Sequence, residues 1–149
     1  MRHLKKAALI ATMLAMPLVA MAQNASPVGV WKTIDDETGK PKSLVRISEE
    51  GGALTCKIEK LFRPAGQDQN PKCTACEGAR KDQPIIGMTI LWGLKKDGNE
   101  YTGGEILDPA KGKTYRSKAT LKDNGSKLEV RGYIGAPMFG RSQTWVREQ

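Results

Sequence analysis

The sequence predicts an all-β chain, an eight-stranded antiparallel up-and-down barrel, with a two-sheet β-sandwich as the alternative. Three observations predict it. Short β-type runs alternate with turn clusters at close, fairly regular spacing; apolar and polar residues alternate within the runs; and no long stretch shows helical apolar spacing. Strands with one dry and one wet face need a single core to close around. Eight sequential strands with mostly short connections lose their exposed edges by closing into a barrel.

The elements follow in order. Residues 28–34 form the first strand, closed by Asp35-Asp36-Glu37-Thr38-Gly39. Residues 43–48 form the second, and Gly51-Gly52 turns the chain into the third, 53–62. A longer polar segment, 63–84, interrupts the rhythm and carries two cysteines. Residues 85–94 resume as the fourth strand, before the hairpin signal Asp97-Gly98. The fifth, 101–107, precedes Asp108-Pro109 and Gly112; the sixth, 113–122, precedes a second hairpin signal, Asn124-Gly125; 127–134 and 140–147 complete the set. In the sixth strand Tyr115, Ser117, Ala119 and Leu121 share the drier face, with Arg116, Lys118, Thr120 and Lys122 opposite. In the third, Leu54, Cys56 and Ile58 oppose Thr55, Lys57 and Glu59. Gly103-Gly104 reads as a bend that helps a small barrel curve.

Ahead of the barrel, Arg2, Lys5 and Lys6 precede an apolar stretch of 14 residues, 7–20, and Ala20-Met21-Ala22 has the small-x-small pattern of signal peptidase sites. A span needs about 20 residues, and Pro17 interrupts this one. Residues 1–22 therefore read as a cleaved signal peptide, with Gln23 at the mature N-terminus and no Cys there to take a lipid. Residues 23–27 read as a disordered leader and 28–149 as one barrel domain. The expected location is the periplasm or the medium, and nothing after residue 22 is apolar enough to span a membrane as a helix. The signal carries three of the 24 basic residues and no acidic one, so 21 basic against 16 acidic residues leave a mature charge of +5. The lysines are dispersed, so this charge reads first as a solubilising one spread over strand faces; as a partner signal outside the cytoplasm it favours an anionic membrane surface, an acidic ligand or an acidic protein patch over nucleic acid.

The two ends of the chain favour the barrel over the sandwich. Gly29-Val30-Trp31 opens the first strand and Trp145-Val146-Arg147 closes the last. The pair resembles the end plug of lipocalin-like barrels, in which a G-x-W on the first strand lies beneath an Arg of the last and the guanidinium stacks on the indole. Further runs carry a wider likeness: Lys81-Asp82-Gln83-Pro84-Ile85-Ile86-Gly87-Met88, Ile106-Leu107-Asp108-Pro109, Gly112-Lys113-Thr114-Tyr115, Arg131-Gly132-Tyr133-Ile134-Gly135, and the closing Arg141, Gln143-Thr144-Trp145 and Arg147. Together they resemble the bacterial secreted family known as domain of unknown function 2147, over essentially the whole mature chain. The resemblance implies a periplasmic or secreted lipocalin-like barrel. It implies no established enzymatic activity and brings no functional residues with it.

Cys56, Cys73 and Cys76 are the most distinctive reactive groups. In an oxidising compartment they predict one structural disulfide, either the local Cys73–Cys76 or a bridge from Cys56 to the segment, with one thiol left over. A redox-active C-x-x-C lacks the helix N-terminus that activates such thiols, although Lys72 adjoins it. Zinc lacks a fourth ligand, because the single His, His3, falls in the signal. The same absence leaves no Ser-His or Cys-His pair. Glu105 and Asp108 are the candidates for a carboxylate pair, but Asp108 precedes Pro109 and reads as a turn former. No catalytic residue, metal or cofactor is expected. What remains is binding. Trp92, on the face of Met88 and Ile90, and Tyr115 are expected to line a cavity, with Arg131 or Arg141 near its mouth to meet an anionic group. The function expected is to bind a small, partly apolar molecule or an envelope component. A solid-cored interaction module and a thiol redox protein are the alternatives.

Overall fold

The computed structural model describes residues 14–15 and 26–148. The signal peptide expected at 1–22 and the first three residues of the leader, 23–25, lie outside the described residues except for Leu14 and Ala15. Eight strands form a closed antiparallel barrel in sequence order, each hydrogen-bonded to the next and β8 to β1. They are β1 (Gly29–Ile34), β2 (Pro41–Glu50), β3 (Ala53–Leu61), β4 (Thr89–Asp97), β5 (Glu100–Asp108), β6 (Lys113–Lys122), β7 (Lys127–Tyr133) and β8 (Gly140–Arg147). The closed sheet excludes the sandwich. Alternation acts as the sequence indicates: Leu54, Cys56 and Ile58 are buried while Lys57 and Glu59 are exposed, and Ser117 and Ala119 are buried while Arg116 is exposed.

The lower end, where β1 begins and β8 finishes, is plugged. Trp31 is fully buried, and the Arg147 guanidinium lies 4.3 Å from its ring centroid. Trp31 stands opposite Arg147 in the β1–β8 pairing. The guanidinium donates to three backbone carbonyls: Nε to Gly125 at 2.7 Å, Nη1 to Val28 at 3.0 Å and Nη2 to Ser26 at 2.6 Å. Trp31 Nε1 donates to the Pro27 carbonyl at 2.8 Å. Gly29 has φ 141°, a backbone that side chains rarely adopt, and this bends the chain under the barrel. The expected disordered leader is corrected at its end: Ser26 is held by Arg147, and Pro27 is fully buried. Above the plug, Val45, Ile47, Leu94, Leu128, Val130 and Trp145 fill the lower interior. Leu94 lies over Gly104, where an added Cβ would come within 2.7 Å of its side chain.

The fourth strand is corrected in position. It starts at Thr89, not 85, because residues 85–88 belong to the long β3–β4 segment. There Ile85 N–H donates to the Pro71 carbonyl and Gly87 N–H to the Ile58 carbonyl. Ile85 and Met88 are apolar because they pack on the core from outside. Polar as it reads, the segment buries its two cysteines at 1% and 2% exposure, joined as a Cys73–Cys76 disulfide. It docks on the β5–β6 turn so closely that a Cβ at Gly112 would run into the Ala75 carbonyl oxygen. Cys56 is the free thiol, buried inside the barrel. Burial, and secondarily the Glu59 charge, pushes it well above the ordinary thiol range.

Two predictions follow from this geometry. Arg147→Ala should cost about 2–4 kcal/mol, through lost stacking and charge-assisted hydrogen bonds, and Trp31→Ala about 3–5 kcal/mol. A double-mutant cycle by denaturant unfolding should show a coupling of about 1 kcal/mol or more; purely additive losses would mean that the two side chains act separately. Arg147→Lys should rescue only in part, because an ammonium cannot serve three carbonyls and a ring face together. Non-reducing peptide mapping should find Cys73 linked to Cys76, and Cys56 alkylated only after unfolding. Cys73→Ser should cost about 2 kcal/mol for so short a ring.

Candidate functional site

Directly opposed residues on neighbouring strands share a face of the sheet. Gly104, Ser117, Gly132 and Arg141 are opposed in turn across β5, β6, β7 and β8. Ser117 is fully buried, so this row lies on the inner face. Its hydroxyl has no hydrogen-bond partner among the described residues. Tyr115, two positions higher on β6, is half-buried and stands opposite Ile106. Across the interior, the buried Thr33 and Ser43 hydroxyls satisfy each other at 2.6 Å. The lower interior is thus apolar, and the upper interior carries hydroxyls.

The β1–β8 seam is the shortest pairing of the barrel. Among the described residues β1 pairs with β8 only at Trp31–Arg147 and Lys32–Val146, whereas β7 and β8 pair along their length. Above that short seam, Gln143 stands opposite the buried Val130 and is nevertheless exposed. Its Oε1 accepts from Trp145 Nε1 at 3.2 Å. Arg141 rises from the same face at the rim and pairs with Asp36 of the β1–β2 turn at 3.2 Å. With 78% of its side chain exposed, Arg141 holds that pair in water, where it contributes little to stability but keeps a cation at the mouth.

Of the four residues expected to line a cavity, Tyr115 and Arg141 share the inner side. Trp92 is corrected: it opposes Glu105, which opposes Arg116, and both are exposed, so the indole lies on the outer wall. There the Arg80 guanidinium caps it, 4.6 Å from the ring centroid. Arg131 is corrected as well. It opposes Lys118 and Ser142 on the outer face and holds the β7–β8 turn, Nε donating to the Pro137 carbonyl at 2.6 Å and Nη2 to the Gly140 carbonyl at 3.2 Å. Neither of the two best-formed depressions lies inside the barrel. One, about 460 Å³, opens beside the disulfide segment between Arg80, Leu107, Lys113, Tyr115 and Ile134. The other, about 440 Å³, lies on the wall between Arg46, Lys57, Glu59 and Ile86.

Sequence reasoning assigned Ser117 to the drier face but missed it as a site. The available signal was a hydroxyl standing between Tyr115 and Ala119 where an apolar residue would pack. Nothing in the sequence marked Arg80 or Asp36. Among the described residues no three His, Cys, Asp or Glu side chains converge as metal ligands.

A search of solved structures gives a protein from Helicobacter pylori, HP1028, described as belonging to the lipocalin family. The two share 21% identity and superpose with a TM-score of 0.71 over 83% of this chain and 84% of that one, a likeness of fold. No curated protein matches the chain. Residues 29–147, from the first residue of β1 to the last of β8, match a family described as an uncharacterized protein conserved in bacteria. The chain belongs to that bacterial family, DUF2147.

Proposed function

We propose that the chain is a binding protein of the periplasm or the medium, taking one small, partly apolar molecule into the upper half of its barrel. The observation that carries this is the Ser117 hydroxyl, fully buried on the inner face with no hydrogen-bond partner among the described residues. Leaving such a group unsatisfied costs about 1–3 kcal/mol, which a ligand's polar group would recover. Ile106 and Tyr115 supply an apolar flank, while Arg141 at the rim suits an anionic group. An eight-stranded barrel has room for one small ligand when its own side chains leave part of the interior free. The lipocalin-like fold supports a binding role. The n-region, apolar stretch and Ala20-Met21-Ala22 support the location. No base lies within hydrogen-bond reach of the Ser117 hydroxyl among the described residues. The reading is therefore of a carrier and not a hydrolase.

The test is native mass spectrometry of the protein from its own host, with thermal shifts against a small-molecule extract. A bound low-mass species or a raised Tm is expected. Ser117→Ala should leave the ligand-free protein as stable or up to about 1 kcal/mol more stable, and weaken binding about tenfold. A variant that loses stability and binds as before would make the hydroxyl structural. A wild-type chain that neither carries nor takes up a ligand would overturn the reading. Separately, intact mass should place the mature N-terminus at Gln23 in periplasm or medium; residues 1–22 retained on a membrane-bound product would refute the location.

A further inference from the structure

The depression of about 460 Å³ beside the disulfide segment is walled by three separate pieces of chain at the upper end of the barrel. The segment contributes Glu77 and Arg80, the β5–β6 connection Leu107 and Lys113, and the end of β7 Ile134. Its volume falls in the range of small-ligand pockets, about 300–1,000 Å³. The walls are held in place. The Cys73–Cys76 bridge closes the turn that precedes Glu77, and that turn rests on Gly112 with no room for a Cβ between them.

Arg80 is the preorganised group in this depression. Its carbonyl accepts the Gln83 N–H at 3.2 Å, and its guanidinium lies 4.6 Å from the Trp92 ring centroid. Stacking covers a face of the guanidinium and leaves its N–H groups, which lie in the plane, free for a carboxylate. Among the described residues, Arg46, Arg63, Arg131, Arg141 and Arg147 donate guanidinium N–H groups to protein acceptors, and Arg80 donates none. Lys113 is a second cation outside the ion pairs of the described residues. Asp108 stands opposite it in the register, but Asp108 Oδ1 takes the Ala110 N–H at 3.0 Å. Arg80 and Lys113 against Glu77 leave the lining one positive charge, which suits one negative charge on a ligand and not two. Leu107 and Ile134 add an apolar contact, Ile134 being 69% exposed at the edge of the depression.

We propose that this depression is an external binding site for a small monocarboxylate with an apolar body, Arg80 and Lys113 meeting the carboxylate and Leu107 and Ile134 the hydrocarbon. Glu77 repels a second negative charge and so sets the class of anion. The site stands apart from the interior one: Tyr115 borders both, but Ser117 belongs to the interior alone, and either site can exist without the other.

The test follows the amide NMR spectrum of the disulfide-bonded protein, as processed by the producing cell, while hexanoate, 1-hexanol, norleucine or inorganic phosphate is added. Hexanoate should shift the amides of 76–80 and 112–115 and the Trp92 indole N–H, with a millimolar Kd about tenfold tighter than that of hexanol. Lys113→Gln should weaken hexanoate binding and Glu77→Gln strengthen it, each by about threefold. Both side chains are exposed, so neither change threatens the fold, and a structural role would not move the affinity in opposite directions. Arg80→Lys should lose most of the binding, because an ammonium lacks the planar fork. Ser117→Ala should leave it unchanged. Phosphate or hexanol binding as tightly as hexanoate, norleucine binding more tightly, charge variants without effect, or no shift at these amides would each overturn the proposal without touching the interior site. Hexanoate binding lost in Ser117→Ala would place the probe inside the barrel, overturning the external site and supporting the interior one.

Discussion

One side chain makes the largest share of the contacts that close the barrel. Arg147 covers the face of Trp31 and gathers carbonyls from Ser26, Val28 and Gly125, so one guanidinium joins the chain's beginning, its end and the β6–β7 turn. Burial alone holds the Arg147 pKa below its ordinary value, yet the group stays charged, and its donors are matched to acceptors that no aliphatic residue could satisfy. The backbone ladder between β1 and β8 is short, and beside the clasp the Glu148 N–H donates to the Val30 carbonyl and Lys32 pairs with Glu148 across it. The Trp31 indole supplies the apolar area, the Pro27 carbonyl takes its N–H, and Gly29 lets the chain turn beneath it. Without that arrangement the meander would present two open edges.

The same closure explains how much of the fold was legible. Gly29, Trp31 and Arg147 announce it because the geometry demands those residue types: a left-handed backbone, a large flat ring and a planar cation. Alternation in β3 and β6 was legible because each has one wet face. It misled at Trp92 for a physical reason. Ile90, Trp92 and Leu107 belong to a wall whose outer face is covered by the disulfide segment, so both faces there are dry. Period-2 analysis can say that Met88, Ile90 and Trp92 go together. It cannot say which side is the inside when cover comes from elsewhere in the chain. Ile85 and Met88 were drawn into a strand by the same effect.

The site was less legible than the fold. Arginines near strand ends could be recognised as candidates, but their partners are set by tertiary register. Arg131 is consumed by carbonyls of a turn that its own strand enters, whereas Arg141 meets Asp36, 105 residues away, in a solvent-exposed pair. Ser117 looks like an ordinary small core residue until its hydroxyl is found alone. The cysteines left three pairings open; the structure joins Cys73 to Cys76 in the segment docked on Gly112 and leaves Cys56 on the opposite side of the sheet.

The short β1–β8 seam also governs the order in which the barrel assembles. Every other strand pair joins neighbours in sequence, so each hairpin closes a small loop at modest entropic cost. The clasp joins groups 119 and 121 residues apart and can form only when the intervening strands are in register. It therefore carries the largest loop-closure cost in the barrel and is expected to form late. On that order, weakening it would accelerate unfolding more than it slows folding. The lifetime of the closed barrel, more than its speed of formation, is set where the two ends of the chain meet.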